Sequence, residues 1–113
     1  MLASKYRLKK RMNFARCEID GRLIQSRSFG VEIYDRKDKD NSRFGFIIST
    51  RISKKAVVRN KIKRTISDYI RININMIKNG LDVVFLIKPA ILKLNKEQIE
   101  NEIYEIIIKN LQK

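Results

Sequence analysis

Basic residues are concentrated in one short segment, residues 54–64, which has the sequence KKAVVRNKIKR. Six of its eleven residues are lysine or arginine, and no acidic residue follows before Asp68. Arginine can hold a phosphate through two parallel N–H donors, lysine supplies a point charge, and an asparagine amide both donates and accepts hydrogen bonds. The segment is therefore suited to a ribose-phosphate backbone. The candidate residues are Arg59, Asn60, Lys61, Lys63 and Arg64, with Lys54 and Lys55 as less specific neighbours.

A run of like charge is often no more than a solvated helix face. Solvated faces usually mix both signs of charge, because opposite charges three or four residues apart stabilise a helix. This segment has no acidic partner through Arg64. Its lysines and arginines therefore repel one another, which favours an anionic partner over plain solvation.

A long helix, predicted over residues 54–79, has to present these side chains. At about 100° per residue, an apolar stripe falls on one side of it, made up of Val58, Ile62, Ile66 and Tyr69. Arg59 and Lys61 flank that stripe. The opposite side carries a predicted exposed basic row, made up of Asn60, Lys63, Arg64, Ser67 and Arg71. Gly80 is expected to end the helix.

Alternating hydrophobicity predicts the strands. We expect strands over residues 21–25, 28–34, 43–49 and 81–87, with the second and third paired as a hairpin. In the second strand, one face carries Phe29, Val31 and Ile33. The nearly all-apolar run 81–87 is typical of a strand that is covered on both faces.

Two further helices complete the chain. A short helix is predicted from Asn13, as its N-cap, to about Glu18, after a mobile start over residues 1–11. A capping box at Asn95 and Gln98 predicts a last helix over residues 96–111. The order α-β-β-β-α-β-α indicates one α+β domain over residues 1–113, a two-layer sandwich in which helices cover a mixed sheet of about four strands.

Composition limits the possible functions. The chain has 26 Lys+Arg against 12 Asp+Glu, a formal net charge of +14, which indicates a polyanionic partner such as nucleic acid. No apolar run approaches the roughly 20 residues of a membrane span, and the N-terminus lacks a signal-peptide core, so we expect a cytoplasmic protein. There is no histidine, and the single Cys17 is expected to be buried on a helix. An independent enzyme is not expected, because no catalytic constellation is present.

Several motifs resemble those of the bacterial ribonuclease P protein family, in the same order along the chain. Residues 59–64 fit its RNR motif, Arg-Asn-Arg/Lys-x-Lys-Arg, at every position. Residues 7–10 followed by Phe14 resemble its N-terminal pattern. Residues 43–45 resemble its R-x-G, and residues 87–90 resemble its R/K-P-A. The resemblance covers nearly the whole chain.

The resemblance implies a fold like domain 2 of ribosomal protein S5, with a left-handed β-α-β crossover in place of the usual right-handed one. It implies a subunit that binds the catalytic RNA of ribonuclease P through the RNR residues and holds the 5′ leader of precursor tRNA in a cleft. The RNA would perform the cleavage with Mg²⁺, and neither a membrane nor an obligate protein partner is expected. By the same carry-over, Phe14, Lys10 and Arg11 belong to the leader cleft.

Three positions depart from the family pattern. Glu18 and Glu32 stand where relatives often have aromatic residues, and Ser67 stands where they have an arginine. These departures predict a weaker or altered sequence preference in the leader. Other hypotheses are a ribosomal or general RNA-binding protein of similar fold, a stand-alone nuclease and a membrane-surface helix.

Overall fold

Four strands form one mixed sheet in the computed structural model, which describes residues 2–113. The strands are β1 (Arg22–Gln25), β2 (Phe29–Asp35), β3 (Arg43–Ile47) and β4 (Leu81–Ile87). The helices are α1 (Arg11–Asp20), α2 (Ala56–Ile72), α3 (Lys96–Ile103) and α4 (Lys109–Leu111), the last two joined by a π-helical turn over Tyr104–Ile108. Short 3₁₀ turns occupy Ser4–Tyr6, Ile74–Met76 and Pro89–Lys93. The predicted α+β class is confirmed, and the left-handed crossover stays a prediction.

The strand order across the sheet is β1-β2-β4-β3. β2 pairs antiparallel with β1 and with β4, whereas β3 pairs with β4 in parallel. The predicted hairpin between the second and third strands is therefore wrong, because β4 lies between them. β4 is the most apolar strand, and its side chains are buried in two apolar clusters, one on each face of the sheet. Residues Leu81 to Phe85 are all buried, which confirms the prediction for that strand.

The main core lies between one face of the sheet and the two long helical segments, α2 and α3–α4. Phe29, Val31 and Ile33 all point into it, as predicted. The Phe46 and Phe85 rings stack there with their centroids 5.3 Å apart. The helices contribute fully buried isoleucines, among them Ile66, Ile70, Ile103 and Ile107. The capping box of Asn95 and Gln98 is also confirmed.

The α1 helix packs on the opposite face of the sheet. Cys17 is fully buried there, as predicted, and contacts Val84 in a second, smaller apolar cluster. The predicted N-cap is wrong: α1 begins at Arg11 with Lys10 in the cap position, and Asn13 lies in the first turn. The Asn13 side chain is buried, and its Oδ1 accepts a hydrogen bond from Arg16 at 3.3 Å.

The N-terminal segment is packed against the sheet, so the expectation of a mobile start is wrong for residues 2–10; Met1 lies outside the described residues. Leu2 and Leu8 are buried. The backbone N–H of Leu8 donates to the carbonyl of Phe44 at 2.9 Å, and the Arg7 side chain donates to the carbonyl of Leu2 at 2.8 Å. The segment covers the edge of β3, which would otherwise be an open pairing template.

The α2 helix ends at Ile72, earlier than predicted, and Gly80 does not end it. Residues 73–80 instead turn back towards the sheet, with Ile77 buried in the core. Gly80 has a φ of +85°, and a Cβ there would lie 2.4 Å from the carbonyl oxygen of Asp38. Glycine is needed in this turn because a side chain would meet both strain and a steric clash.

Candidate nucleic-acid interface

The α2 helix has an apolar side and a basic side, largely as predicted. Ile62 and Ile66 of the apolar stripe are buried, and Val58 and Tyr69 are half-buried against the core. On the other side, Asn60, Arg64 and Arg71 are exposed, and Lys63 is half-buried. Ser67 is only 1% exposed, so its predicted place in the exposed row is wrong. It lies in a cavity against the N-terminal segment and β3, which cover that part of the helix.

The residues that flank the apolar stripe differ from each other. Arg59 is half-buried, and its Nη1 donates to the carbonyl of Ser53 at 2.7 Å, which fixes the approach to α2. Lys61 is exposed and lines a depression that α2 forms with residues 91–99, on a different part of the surface from the groove described below. Lys54 and Lys55 are exposed, and Lys55 occupies the N-cap position of α2.

The basic residues of segment 54–64 have no salt bridge to any carboxylate in the part of the chain that the structure describes. No ion pair among those residues therefore offsets their mutual repulsion. A phosphate chain along α2 would relieve it, since each close anion lowers the energy of several cations at once.

A groove of about 320 Å³ lies between α1 and strands β2, β3 and β4 of the sheet. Its α1 wall carries Arg11, Phe14, Ala15 and Glu18, and its sheet wall carries Glu32, Ile47 and Leu86. Arg11 and Phe14 were both predicted to share a cleft here, and the structure brings them together. Lys10, predicted with them, is exposed at the N-cap of α1 and does not line this cavity.

Phe14 is held in the groove by its contact with Gly45 on β3. A Cβ at Gly45 would lie 2.5 Å from Cζ of the Phe14 ring, so only glycine allows the ring to approach the strand this closely. Phe14 stays half-buried, with part of the ring towards the groove. The glycine of the R-x-G pattern therefore sets the depth at which the aromatic ring lies.

Two carboxylates line the same groove. Glu18 is exposed, whereas Glu32 is only 9% exposed and lies between Leu23 of β1 and Val84 of β4 in the sheet register. Burial, and then the nearby charge of Glu18, raise the pKa of Glu32 above its usual value. The sequence marked both positions as departures from a family pattern, but it did not indicate that Glu32 is buried.

A smaller cavity, of about 110 Å³, lies between α2, α1 and the N-terminal segment. Lys63 and Ser67 contribute to it from α2, Arg7 and Leu8 from the N-terminal segment, and Phe14 from α1. Phe14 lines both this cavity and the groove. The Phe14 side chain therefore lies between the groove and the cavity that Lys63 of the basic row lines. Arg7 was not among the predicted site residues, because nothing in its local sequence shows that the N-terminal segment folds over β3.

A buried carboxylate organises further arginines on the α1 side of the sheet. Asp82 is fully buried on β4 and accepts hydrogen bonds from Arg16 at 3.1 Å, from Arg43 at 2.8 Å and from Arg36. Burial alone would raise the pKa of Asp82, but the hydrogen bonds from Arg43 and Arg36 outweigh it and hold the pKa below its usual value. Sequence reasoning missed this cluster because its members are far apart in the chain. The side chains of Arg16 and Arg43 remain 34% and 30% exposed, so both can also meet an anion.

Residues 2–113 contain no group of three or more Cys, Asp and Glu side chains placed to hold a metal ion. We therefore assign no step to a protein-bound metal. Within the same range, no helix is both long and apolar enough to cross a membrane.

Comparison with known proteins gives consistent matches over most of the chain. A family model described as Ribonuclease P matches residues 2–111. The ribonuclease P protein component of Desulforapulum autotrophicum is 31% identical over 103 residues, which cover 91% of this chain and 86% of that protein. The solved structure of the Staphylococcus aureus RNase P protein has a TM-score of 0.83 at 30% identity, and the match covers 93% of this chain and 94% of that one. The RNase P protein from Thermotoga maritima, at 22% identity, shares the fold with a TM-score of 0.81 over 91% of this chain and 96% of that one.

Proposed function

The chain belongs to the ribonuclease P protein family, whose members take part in tRNA 5′ processing, and we propose that it is the protein subunit of a bacterial ribonuclease P. In this proposal α2 binds the catalytic RNA, and the groove beside α1 holds the single-stranded 5′ leader of precursor tRNA. The RNA performs the cleavage, with Mg²⁺ held mainly by RNA. The complex works in the cytoplasm. The protein without the RNA is not an enzyme.

The proximity of α2 to the groove is the observation that carries this proposal. Lys63 of the RNR motif and Phe14 of α1 line one cavity, and Phe14 also lines the groove. A precursor whose leader lies along α1 would therefore pass directly beside the residues that hold the catalytic RNA. That arrangement brings the substrate and the catalytic RNA to the same side of the protein.

The charge distribution supports binding of RNA along α2. About two turns of α2 present four cations and an amide. Three of these side chains are exposed (Asn60, Lys61 and Arg64) and two are half-buried (Arg59 and Lys63). Each phosphate neutralised by such a residue releases counterions, which makes the affinity dependent on salt. The net charge of +14 adds a long-range attraction that speeds association.

The groove is suited to a single strand rather than to a duplex. Phe14 offers a ring on which a base can stack, and Arg11, with Lys10 at the nearby N-cap, offers charge to the phosphates. Stacking beside cations is the usual way in which proteins bind single-stranded nucleic acid. A duplex would present its bases only at their edges and could not use the ring.

Cleavage of precursor tRNA at low Mg²⁺, by the cognate ribonuclease P RNA with and without this protein, tests the proposal. We expect the protein to stimulate cleavage at the mature 5′ end. Arg64→Ala should weaken binding of the catalytic RNA. Phe14→Ala should weaken binding only of precursors with a long leader. A precursor with a one-nucleotide leader is therefore the matched control. Tight RNA binding without stimulation would indicate a general RNA-binding protein instead, and cleavage by the protein alone would indicate a nuclease.

A further inference from the structure

Glu32 is a feature of the groove that attraction between a basic protein and RNA does not explain. We infer that its carboxylate recognises one unpaired base of the bound leader and selects guanine. This inference rests on the proposed function, because it concerns the strand that the groove would hold. It adds a specificity-determining residue to that function.

The position of Glu32 points to a ligand. The residue is more than nine-tenths buried, yet its side chain lines the groove beside Arg11 and Phe14. No side-chain or backbone donor among residues 2–113 forms a hydrogen bond with its carboxylate. Its two carboxylate oxygens are not enclosed by the protein but reach the groove, so their hydrogen-bonding capacity is available to whatever enters there.

An ionised carboxylate distinguishes the four bases by their donors. It accepts hydrogen bonds through two oxygens and donates none. The Watson–Crick edge of guanine carries two neighbouring donors, N1–H and the N2 amino group, which match those oxygens in the same way as an arginine fork does. Adenine and cytosine offer one amino group beside an acceptor nitrogen, and uracil offers one N–H between two carbonyl oxygens. Only guanine can therefore form two such hydrogen bonds without repulsion.

The rest of the groove fits a base that is inserted edge-first. Ala15, Ile47 and Leu86 provide apolar walls, and the Phe14 ring provides a surface for stacking. The volume of about 320 Å³ lies at the lower end of the range for small-ligand sites. Unpaired RNA bases are commonly recognised in this way, by stacking together with hydrogen bonds to the Watson–Crick edge.

The charges on α1 favour one path for the phosphate backbone of the bound strand. Arg11 and Glu18 lie on the same side of α1, seven residues apart, which is about 10 Å along the axis. Phosphates are attracted to Arg11 and repelled by Glu18. The strand is thus expected to run past the Arg11 end, with a base directed towards Glu32.

The test uses the holoenzyme assembled from this protein and its cognate RNA, with precursor tRNAs that carry a guanine-free leader or a single guanine at each leader position in turn. We expect one position at which guanine binds at least about fivefold more tightly than uracil, since a good two-bond contact is worth roughly 1–3 kcal/mol. Glu32→Gln should abolish this preference, because an amide presents a donor where guanine needs an acceptor. Glu32→Asp, which keeps the charge but shortens its reach, should weaken the preference as well.

Glu18→Gln is the matched control. It removes an equal charge from the mouth of the groove, so it should raise the affinity for all four bases and leave the guanine preference intact. An equal gain for every base in Glu32→Gln would show that Glu32 only repels the strand, and the inference would be wrong. The inference would also be wrong if no leader position showed a preference for guanine. An affinity that still depends on the leader would, in that case, leave the proposed function standing. An affinity that does not depend on the leader would overturn both.

Discussion

Arg64→Ala and Arg59→Ala form a pair of substitutions that separates RNA contact from folding. Both remove one guanidinium from the RNR motif on α2. Arg64 is exposed, whereas Arg59 is half-buried and donates to the carbonyl of Ser53 at 2.7 Å. We expect Arg64→Ala to weaken binding of the catalytic RNA without affecting the fold, and Arg59→Ala to affect both.

The expected magnitudes follow from these environments. Each phosphate contact contributes about 0.9 to the slope of log affinity against log salt. Between 50 and 200 mM salt, the affinity of a variant that lacks one contact should therefore fall by a factor about 3.5-fold smaller than that of the parent protein. For stability, Arg64→Ala should lie within about 0.5 kcal/mol of the parent protein. Arg59→Ala should lower the free energy of unfolding by about 1 kcal/mol, since its charged guanidinium donates a hydrogen bond that remains partly exposed.

RNA affinity over a series of salt concentrations, together with urea unfolding of the free protein, measures both effects. Lys109→Ala is the control, because it removes a cation that is paired with Glu105 on the C-terminal helix, and it should leave the salt slope unchanged. An Arg64→Ala protein with an unchanged slope would show that Arg64 is only a solvated residue. An unfolded Arg64→Ala protein would show that it is structural, and the assignment of the basic row would then be wrong.

Three further substitutions test the packing that supports the surface. Gly45→Ala should displace the Phe14 ring, because the new Cβ would lie 2.5 Å from Cζ, and leader affinity should fall while affinity for the catalytic RNA does not. Asp82→Asn should cost roughly 3–5 kcal/mol in urea unfolding, because three arginines lose a buried partner. In the parent protein, Asp82 should stabilise the fold above its unfolded pKa near 3.8 and lose that effect as the pH falls through its lower folded pKa, a dependence that Asp82→Asn should lack. Ile62→Ala should cost about 2–5 kcal/mol in urea unfolding without changing the salt slope, since Ile62 is buried in the core.

Local pattern predicted the elements of this fold better than it predicted their pairing. Alternation in β2 and the apolar run of β4 identify which side chains are buried, because each depends only on neighbours in the chain. The pairing of β3 depends on where α2 returns the chain, and no pattern inside residues 28–49 contains that information. The hairpin was therefore the simplest expectation and was wrong.

The candidate site was predicted where its residues belong to one helix. Helical spacing separates Arg64 from Ile62 correctly, since both faces follow from a period of 3.6 residues. It fails for Ser67, which is buried because the N-terminal segment packs over β3 and reaches that side of α2. Contacts between segments distant in sequence decide burial at such positions.

Two carboxylates on the α1 face of the sheet differ in whether they can still accept hydrogen bonds from a ligand. Asp82 receives four hydrogen bonds from three arginines, and two carboxylate oxygens offer about four acceptor positions. Its capacity is therefore filled, and its charge is offset inside the protein. Glu32 receives no such bond within residues 2–113, although both residues are acids within strands. The sequence cannot distinguish them, because the difference lies in which arginines the folded chain brings near. A base that enters the groove thus meets an acceptor at Glu32 and none at Asp82, and for that reason the specificity test begins with Glu32.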